Sequence, residues 1–342
     1  MCKEYLNHLV ESGELPGGVL HVSKQRETVF FEAYGTFSDK HHTKHPIYQD
    51  TIFDVASLTK IMVTLPSVLF LTGRRELKLD TTVHSIIPEF PHKELTINQL
   101  LQHTSGLPAD LLFQDRMQTR DVWNDILHTR LVNKPGEKTL YSDVGMITLG
   151  KVIEKIAGMP LHEFAAQTIL EPWGLHHTRY LLPEDQKALA ASTEWYKDQF
   201  IQGEVHDEKA FQLGGVSGSA GLFSTAHDVA TFSHYWLYPE KQNVIAPDDM
   251  RSATQHRQHN RGLGFEVWSG AGDLLSCGDK WSIGSFGHTG FTGTSLWIDP
   301  VHELSVVFLT NAVHFGRDTR IREIRKHLHS LIYSSFIEEL NI

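Results

Sequence analysis

The chain has 342 residues, 40% of them hydrophobic, enough to bury a large core as one large domain or two lobes. Acidic residues (41) outnumber basic ones (31) for a net charge of −10, without a basic run. That balance disfavours nucleic acid and anionic membrane surfaces and leaves a small, neutral or zwitterionic substrate as the easier partner. Only Cys2 and Cys277 are present, so neither a disulfide framework nor cysteine catalysis is indicated. The opening residues Met1 to His8 are polar and mixed in charge, unlike a signal peptide, and no apolar run approaches the ~18 residues of a membrane span. As given, the chain reads as cytoplasmic, or as extracellular if a leader has been removed.

Residues 3–11 suit a short helix. Gly17–Val22 and Thr28–Tyr34, rich in Val, Leu and Phe, read as two strands joined by a polar Lys-Gln-Arg-Glu turn. From Ser57 the apolar residues Leu58, Ile61, Met62, Leu65, Val68 and Leu69 recur at helical spacing up to Gly73, with Pro66 expected to bend or break the helix. Helical periodicity continues in Ile97–Leu101, Val122–Leu131, Gly145–Ala157 and Leu161–Leu170. After Gly214 strand signals return in Gly262–Val267, Ser282–Gly287, Thr294–Ile298 and Leu304–Leu309, followed by an amphipathic helix from Ile321 to Leu340. Strands at both ends with helices between predict an α+β fold. Residues 1–78 and 212–342 form one lobe, residues 79–211 an inserted helical lobe, and the active site lies in the cleft between them. The Gly- and Ser-rich residues 269–282 read as a loop bordering that cleft.

Three patches carry chemistry. Ser57 is the only serine followed three residues later by lysine, Lys60. On a helix these two share a face, so a nucleophile would lie beside its base, and the helix N-terminus offers N–H groups to an oxyanion. Equally, Ser57 could be an N-cap and Lys60 a solvated lysine. Tyr141-Ser142-Asp143 follows a Lys-Pro-Gly-Glu turn and precedes a helix that Ser142 or Asp143 could cap. Its functional reading sets the Tyr141 hydroxyl near Ser57 as a phenol of lowered pKa beside Lys60. His288-Thr289-Gly290 ends a strand and continues into Phe291-Thr292-Gly293, where the Phe291 N–H could be an oxyanion donor. A tight hairpin would show the same glycines.

In this order the three motifs resemble those of the serine β-lactamase and penicillin-binding-protein superfamily, in particular its class C β-lactamase-like branch. The likeness runs from about residue 15 to 335 and includes Leu100–Pro108, Pro172–Leu175 and Gly218–Thr225. The resemblance implies a β-lactamase/transpeptidase-like fold, an antiparallel sheet flanked by terminal helices. It implies Ser57 as acylated nucleophile, Lys60 and Tyr141 as the proton-transfer pair, and the Ser57 and Phe291 amides as oxyanion hole. Asp143, His288, Thr289 and Gly290 would face the substrate, and neither a metal nor an organic cofactor is needed. Many relatives carry lysine at His288, so recognition of a substrate carboxylate should weaken. Relatives commonly carry asparagine at Asp143; an ionised Asp143 near Lys60 would hold that lysine protonated and favour Tyr141 as base.

The implied substrates are peptidoglycan-derived peptides or β-lactams. A carboxylesterase is the runner-up, with Phe291, Trp281 and Trp297 as an apolar rim. A slowly acylating sensor of cell-wall fragments is the alternative outside catalysis. No serine is flanked by both glycines of a Gly-x-Ser-x-Gly elbow, which sets an α/β-hydrolase aside. The histidine clusters at 41–45, 176–177 and 256–259 lack the companions of a zinc motif and read as surface residues.

Overall fold

The hairpin predicted near the start of the chain becomes the first part of a central sheet. The structure is a computed structural model that describes residues 2–112, 115–317 and 320–338. Strand β1 (Gly17–Lys24) runs antiparallel to β2 (Glu27–Ser38), with Lys24 opposite Glu27. The two turn residues, Gln25 and Arg26, have φ of 51° and 70°, the left-handed pair whose twist matches that of a two-residue hairpin.

The remaining sheet strands are β3 (Lys44–Pro46), β4 (Glu266–Val267), β5 (Phe286–Thr289), β6 (Ser295–Asp299) and β7 (Leu304–Thr310). Their order is β3-β2-β1-β7-β6-β5-β4, and every neighbouring pair is antiparallel. Gly18 faces Thr310 across the junction that joins the two ends of the chain.

The five longer helices among the described residues are α1 (Cys2–Glu11), α2 (Leu65–Gly73), α3 (Asp143–Ala157), α4 (Ala226–Leu237) and α5 (Ile321–Tyr333), of which α1 and α4 lie directly against the sheet. Side chains alternate across a strand, so one sequence serves two cores. Leu20, Val22, Trp297, Val306 and Phe308 pack with Leu6 and Leu9 of α1 and Leu328 and Ile332 of α5. Val19, Leu296, Ile298, Val307 and Leu309 pack the opposite way, in a larger core that includes residues of α2, α3 and α4. Both free cysteines, Cys2 and Cys277, lie in the first of these cores.

Several elements differ from expectation for identifiable reasons. The strand expected over 262–267 keeps only its last two residues, because Gly264 has φ of 70° and Gly262 N–H bonds the Phe265 carbonyl, making a turn. The helix expected over 122–131 ends at Leu127. Helix α4 and the helix Pro247–Ala253 lie after Gly214, where strand signals were expected to return, and a short hairpin at 195–200 lies within the expected helical lobe. Signals for α4 are present in retrospect: the Thr225 hydroxyl accepts the Asp228 N–H at 3.3 Å, and Val229, Phe232 and Trp236 share the buried face.

The Ser57 helix begins as a 3₁₀ turn (Ala56–Leu58), widens into a π turn (Lys60–Thr64) and becomes α-helical at Leu65. Pro66 has no N–H for the Met62 carbonyl, so the irregularity falls on its N-terminal side. Ala56–Gly73 is the one helical stretch among the described residues that is, by length and composition, apolar enough to span a bilayer; it is interrupted by Lys60 and other polar residues, and here it is a core segment, 78% buried. The C-terminal helix is α-helical to Tyr333 and ends in a π turn at Glu338; residues 339–340 of the expected helix lie outside the described residues.

Leu309 is fully buried on the central strand β7. Leu309→Ala should lower unfolding stability by about 2–5 kcal/mol, read as an earlier midpoint in urea denaturation with an unchanged slope.

Candidate active site

Ser57 owes its position to a strained residue. Ala56, immediately before it, has φ of 47°, a left-handed conformation that costs a residue with a Cβ about 1–3 kcal/mol. The strain is held by hydrogen bonds: Ala56 N–H to Asp54 Oδ1 at 2.9 Å, and Thr59 Oγ1 to the Ala56 carbonyl at 2.6 Å. The second Asp54 oxygen accepts the His206 N–H at 2.7 Å. Burial of this carboxyl raises its pKa, against the pull of these two N–H donors.

Lys60, one turn on, has no solvent exposure, and three oxygens surround its Nζ: Ser57 Oγ at 2.7 Å, the Ser219 carbonyl at 2.7 Å and Asp143 Oδ1 at 2.8 Å. An ammonium carries three protons, so this coordination suits the charged form. Burial pulls the Lys60 pKa down, but Asp143 and Tyr141 outweigh it and leave it above the ordinary lysine value.

Tyr141 and Asp143 are delivered by the start of α3. Ser142 caps that helix, accepting the Gly145 N–H at 3.1 Å and donating to the Pro108 carbonyl at 2.6 Å. Ser142 thus fills the capping role, and the same helix start sets the Tyr141 ring 5.1 Å from Lys60 Nζ. His103 stacks on Tyr141 with ring centroids 4.7 Å apart, and its Nδ1 accepts the Ser142 N–H at 3.1 Å. The Tyr141 hydroxyl is within reach of Lys60 and Ser57, both of which favour its ionised form. Burial is the larger effect and raises the pKa, which corrects the expectation of a phenol of lowered pKa.

Asp143 has a second cationic neighbour. Lys209 Nζ lies 2.8 Å from Asp110 Oδ1, 3.0 Å from Asp207 Oδ2 and 3.8 Å from Asp143 Oδ2. Burial alone would favour neutral Lys209; the three carboxylates reverse that and hold it charged.

His288 and Thr289 end β5, and Gly290 opens the turn beyond. His288 Nδ1 is 2.8 Å from the Thr289 carbonyl, which can only accept, so Nδ1 bears the hydrogen. Burial first, then Lys60 and Arg261, keep this imidazole neutral, far below its usual pKa. Gly290 is a packing requirement: a Cβ there would lie 2.6 Å from the Val55 carbonyl. Thr292 Oγ1 donates to the Asp54 carbonyl at 2.8 Å and Thr294 Oγ1 to that of Val55 at 3.0 Å, tying this turn to the backbone ahead of Ser57.

Phe291 is 57% exposed, its ring between His206 (5.7 Å) and Arg317 (5.8 Å). Trp281 and Trp297 are not on the rim; both are buried in the core between the sheet and the terminal helices. The stretch 269–282 is not in the wall of the Ser57 cleft; largely exposed at 270–274, it is tied down by Trp297 Nε1 donating to Ser276 Oγ at 2.7 Å and Asn260 Nδ2 to the Ala271 carbonyl at 3.1 Å.

These groups line one cleft of about 410 Å³, with Ser57, Tyr141, Lys209, Arg261, His288 and Phe291 in its wall. Arg261 comes from a turn the motifs do not single out. Its guanidinium sits 5.4 Å from the Tyr141 ring centroid and its Nη2 3.4 Å from Glu266, while Nη1 has no hydrogen-bond partner among the described residues. Nothing in the local sequence around Arg261, Lys209 or Asp54 distinguishes them from surface or core residues; Ser219 lies in a stretch noted only for its resemblance. Among the described residues no group of three His, Cys, Asp or Glu could hold a metal ion. His45 instead pairs with Asp39 at 2.8 Å, and His42 stacks on Trp195 at 4.6 Å.

A family model described as Beta-lactamase matches residues 3–330. The chain belongs to the beta-lactamase family. Among its relatives is a protein of Escherichia coli (strain K12) named "Putative D-alanyl-D-alanine carboxypeptidase", 31% identical over 345 residues that cover 87% of this chain and 79% of that one. Similar solved structures include a class C beta-lactamase from Rhodobacter sphaeroides, with TM-score 0.76, 18% identity and coverage of 97% and 98% of the two chains. Another is EstCE1, a hydrolase with promiscuous acyltransferase activity, with TM-score 0.73, 21% identity and coverage of 95% and 97%. This family member is thus a serine hydrolase with the beta-lactamase/transpeptidase fold.

Asp143 opposes the effect of burial on Lys60. Asp143→Asn should remove the larger opposition to burial, leaving only that of Tyr141, and lower the Lys60 pKa. The acid limb of kcat/KM against pH should then move to lower pH by about one unit or more, measured with an activated ester.

Proposed function

We propose that the protein hydrolyses peptidoglycan-derived peptides, or β-lactams, through an acyl-enzyme on Ser57. The observation that carries this reading is the buried Lys60 Nζ, 2.7 Å from Ser57 Oγ in a cleft that also holds Tyr141. Ser57 Oγ attacks the substrate carbonyl carbon, and its proton passes to the Lys60–Tyr141 pair. At rest the pair holds an ammonium and a neutral phenol, so it becomes a base by losing one proton, shared between two strongly coupled groups. The carbonyl oxygen becomes an oxyanion facing the Ser57 and Phe291 N–H groups. When the C–N bond breaks, the pair returns the proton to the leaving nitrogen, and water then hydrolyses the acyl-Ser57 ester.

Neutral His288 removes the charge that many relatives place there, and Arg261 supports an alternative source of it. Its guanidinium lies on the same cleft wall with one nitrogen unpaired among the described residues, and its planar fork of donors matches a carboxylate. A substrate ending in a free carboxylate, such as a terminal D-alanine, suits that arrangement, in line with the name of the Escherichia coli relative. The exposed Phe291 ring at the mouth of the cleft favours the second reading, a carboxylesterase that rests an acyl chain there.

Intact-mass analysis over time with a β-lactam tests the first step. One adduct per chain is expected, absent in Ser57→Ala, and Ser57→Ala should also lower turnover of an activated ester by about 10⁴-fold or more. With the β-lactam-free protein, release of product from an activated ester that stops after one equivalent would instead mark a sensor. Arg261→Gln should raise KM for a D-alanyl-D-alanine peptide by about 10- to 100-fold and leave an uncharged ester nearly unaffected. Equal losses on both substrates would remove the carboxylate role.

A further inference from the structure

The turn that carries Phe291 is gripped by an arginine of the cleft wall that forms no salt bridge among the described residues. Arg325, on α5, is buried, and among the described residues its guanidinium hydrogen-bonds only backbone carbonyls: Gly290 at 2.6 Å, Thr294 at 2.9 Å and Gly293 at 3.2 Å. Gly290 O also accepts the Gly293 N–H at 3.1 Å. The described peptide bonds are all trans, so the N–H of a peptide points opposite to its C=O. Fixing the Gly290 carbonyl on Arg325 therefore fixes the Phe291 N–H in the reverse direction, away from α5. That N–H makes no hydrogen bond among the described residues. On its other side the turn is locked to the Ser57 segment through Thr292 and Thr294.

We propose that Arg325 is a positioning residue for catalysis, which holds the Gly290–Phe291 peptide so that its N–H meets the oxyanion formed on attack by Ser57. This rests on the reading of the Phe291 N–H as an oxyanion donor. Lysine at this position could reach one or two of the carbonyls but not span three, because only the planar guanidinium fork presents donors on several sides at once.

The test is a double-mutant cycle on p-nitrophenyl butyrate, with kcat and KM determined separately and folding followed by circular dichroism. Arg325→Met should lower kcat by about 10²-fold with KM changed less than about threefold, the loss typical of one misdirected oxyanion donor. Arg325→Lys should recover part of that loss. The second arm replaces Phe291 by its α-hydroxy analogue, which exchanges the N–H for an ester oxygen and keeps the side chain. In that background Arg325→Met should cost less than about threefold, because the donor it orients is already gone. If the analogue alone leaves kcat unchanged, the oxyanion reading of Phe291 fails. If the analogue slows the reaction but Arg325→Met lowers kcat by the same factor in both backgrounds, or not at all, the oxyanion reading stands and the role of Arg325 is overturned. Should Arg325→Met not fold, Arg325→Lys takes its place in the same cycle with the same criteria.

Discussion

A charged lysine with no exposure to water is the constraint around which this site is arranged. An isolated ammonium moved into the interior costs far more than a fold of this size can spare, so each of its protons must find an oxygen. For Lys60 those oxygens come from three distant parts of the chain: Ser57 one turn before it, Asp143 at the head of α3, and the Ser219 carbonyl. Satisfying the lysine thus brings together the segments the chemistry requires. Close packing serves the same end, since Thr64 Oγ1 donates to the Gly218 carbonyl at 2.6 Å and a Cβ on Gly218 would lie 3.0 Å from the Gly150 nitrogen of α3.

Asp143 sits between two cations, and this division of its charge decides how hard it holds Lys60. A carboxylate bound to one lysine alone would keep that lysine charged. A second ammonium at 3.8 Å weakens the hold and brings in Asp110 and Asp207, which balance the extra charge. Asp207 is also the cap of the short helix Glu208–Gln212 that carries Lys209, accepting the Ala210 N–H at 2.8 Å. The network is local in space and scattered in sequence.

That contrast marks what the sequence discloses. The Ser57–Lys60 pair, Tyr141–Asp143 and His288–Gly290 are legible because each is a short run whose geometry is fixed by the turn or helix it begins. The opening hairpin is legible through its alternation and its polar turn, and β6 and β7 through their unbroken apolar runs. Arg261, Lys209 and Arg325 are not legible, because each acts through groups that approach only after the chain has folded. Arg325 looks like any basic residue on an amphipathic helix until its carbonyl partners, more than thirty positions earlier, are seen beside it. The phenol is the instructive error: a neighbouring lysine is visible in a motif, but the depth at which both are buried is not.

The sheet has one further implication. β1 is zipped to β7, so Gly18 waits for Thr310 before it gains its partner on that side. During synthesis every residue up to Thr310 has to leave the ribosome before that seam can close, and long-range pairings of this kind form slowly. The turn bearing Phe291 and the helix bearing Arg325 both come from this last part of the chain. A nascent chain therefore carries its serine and lysine long before it holds the groups that would complete a working centre, and the later strands arm the enzyme.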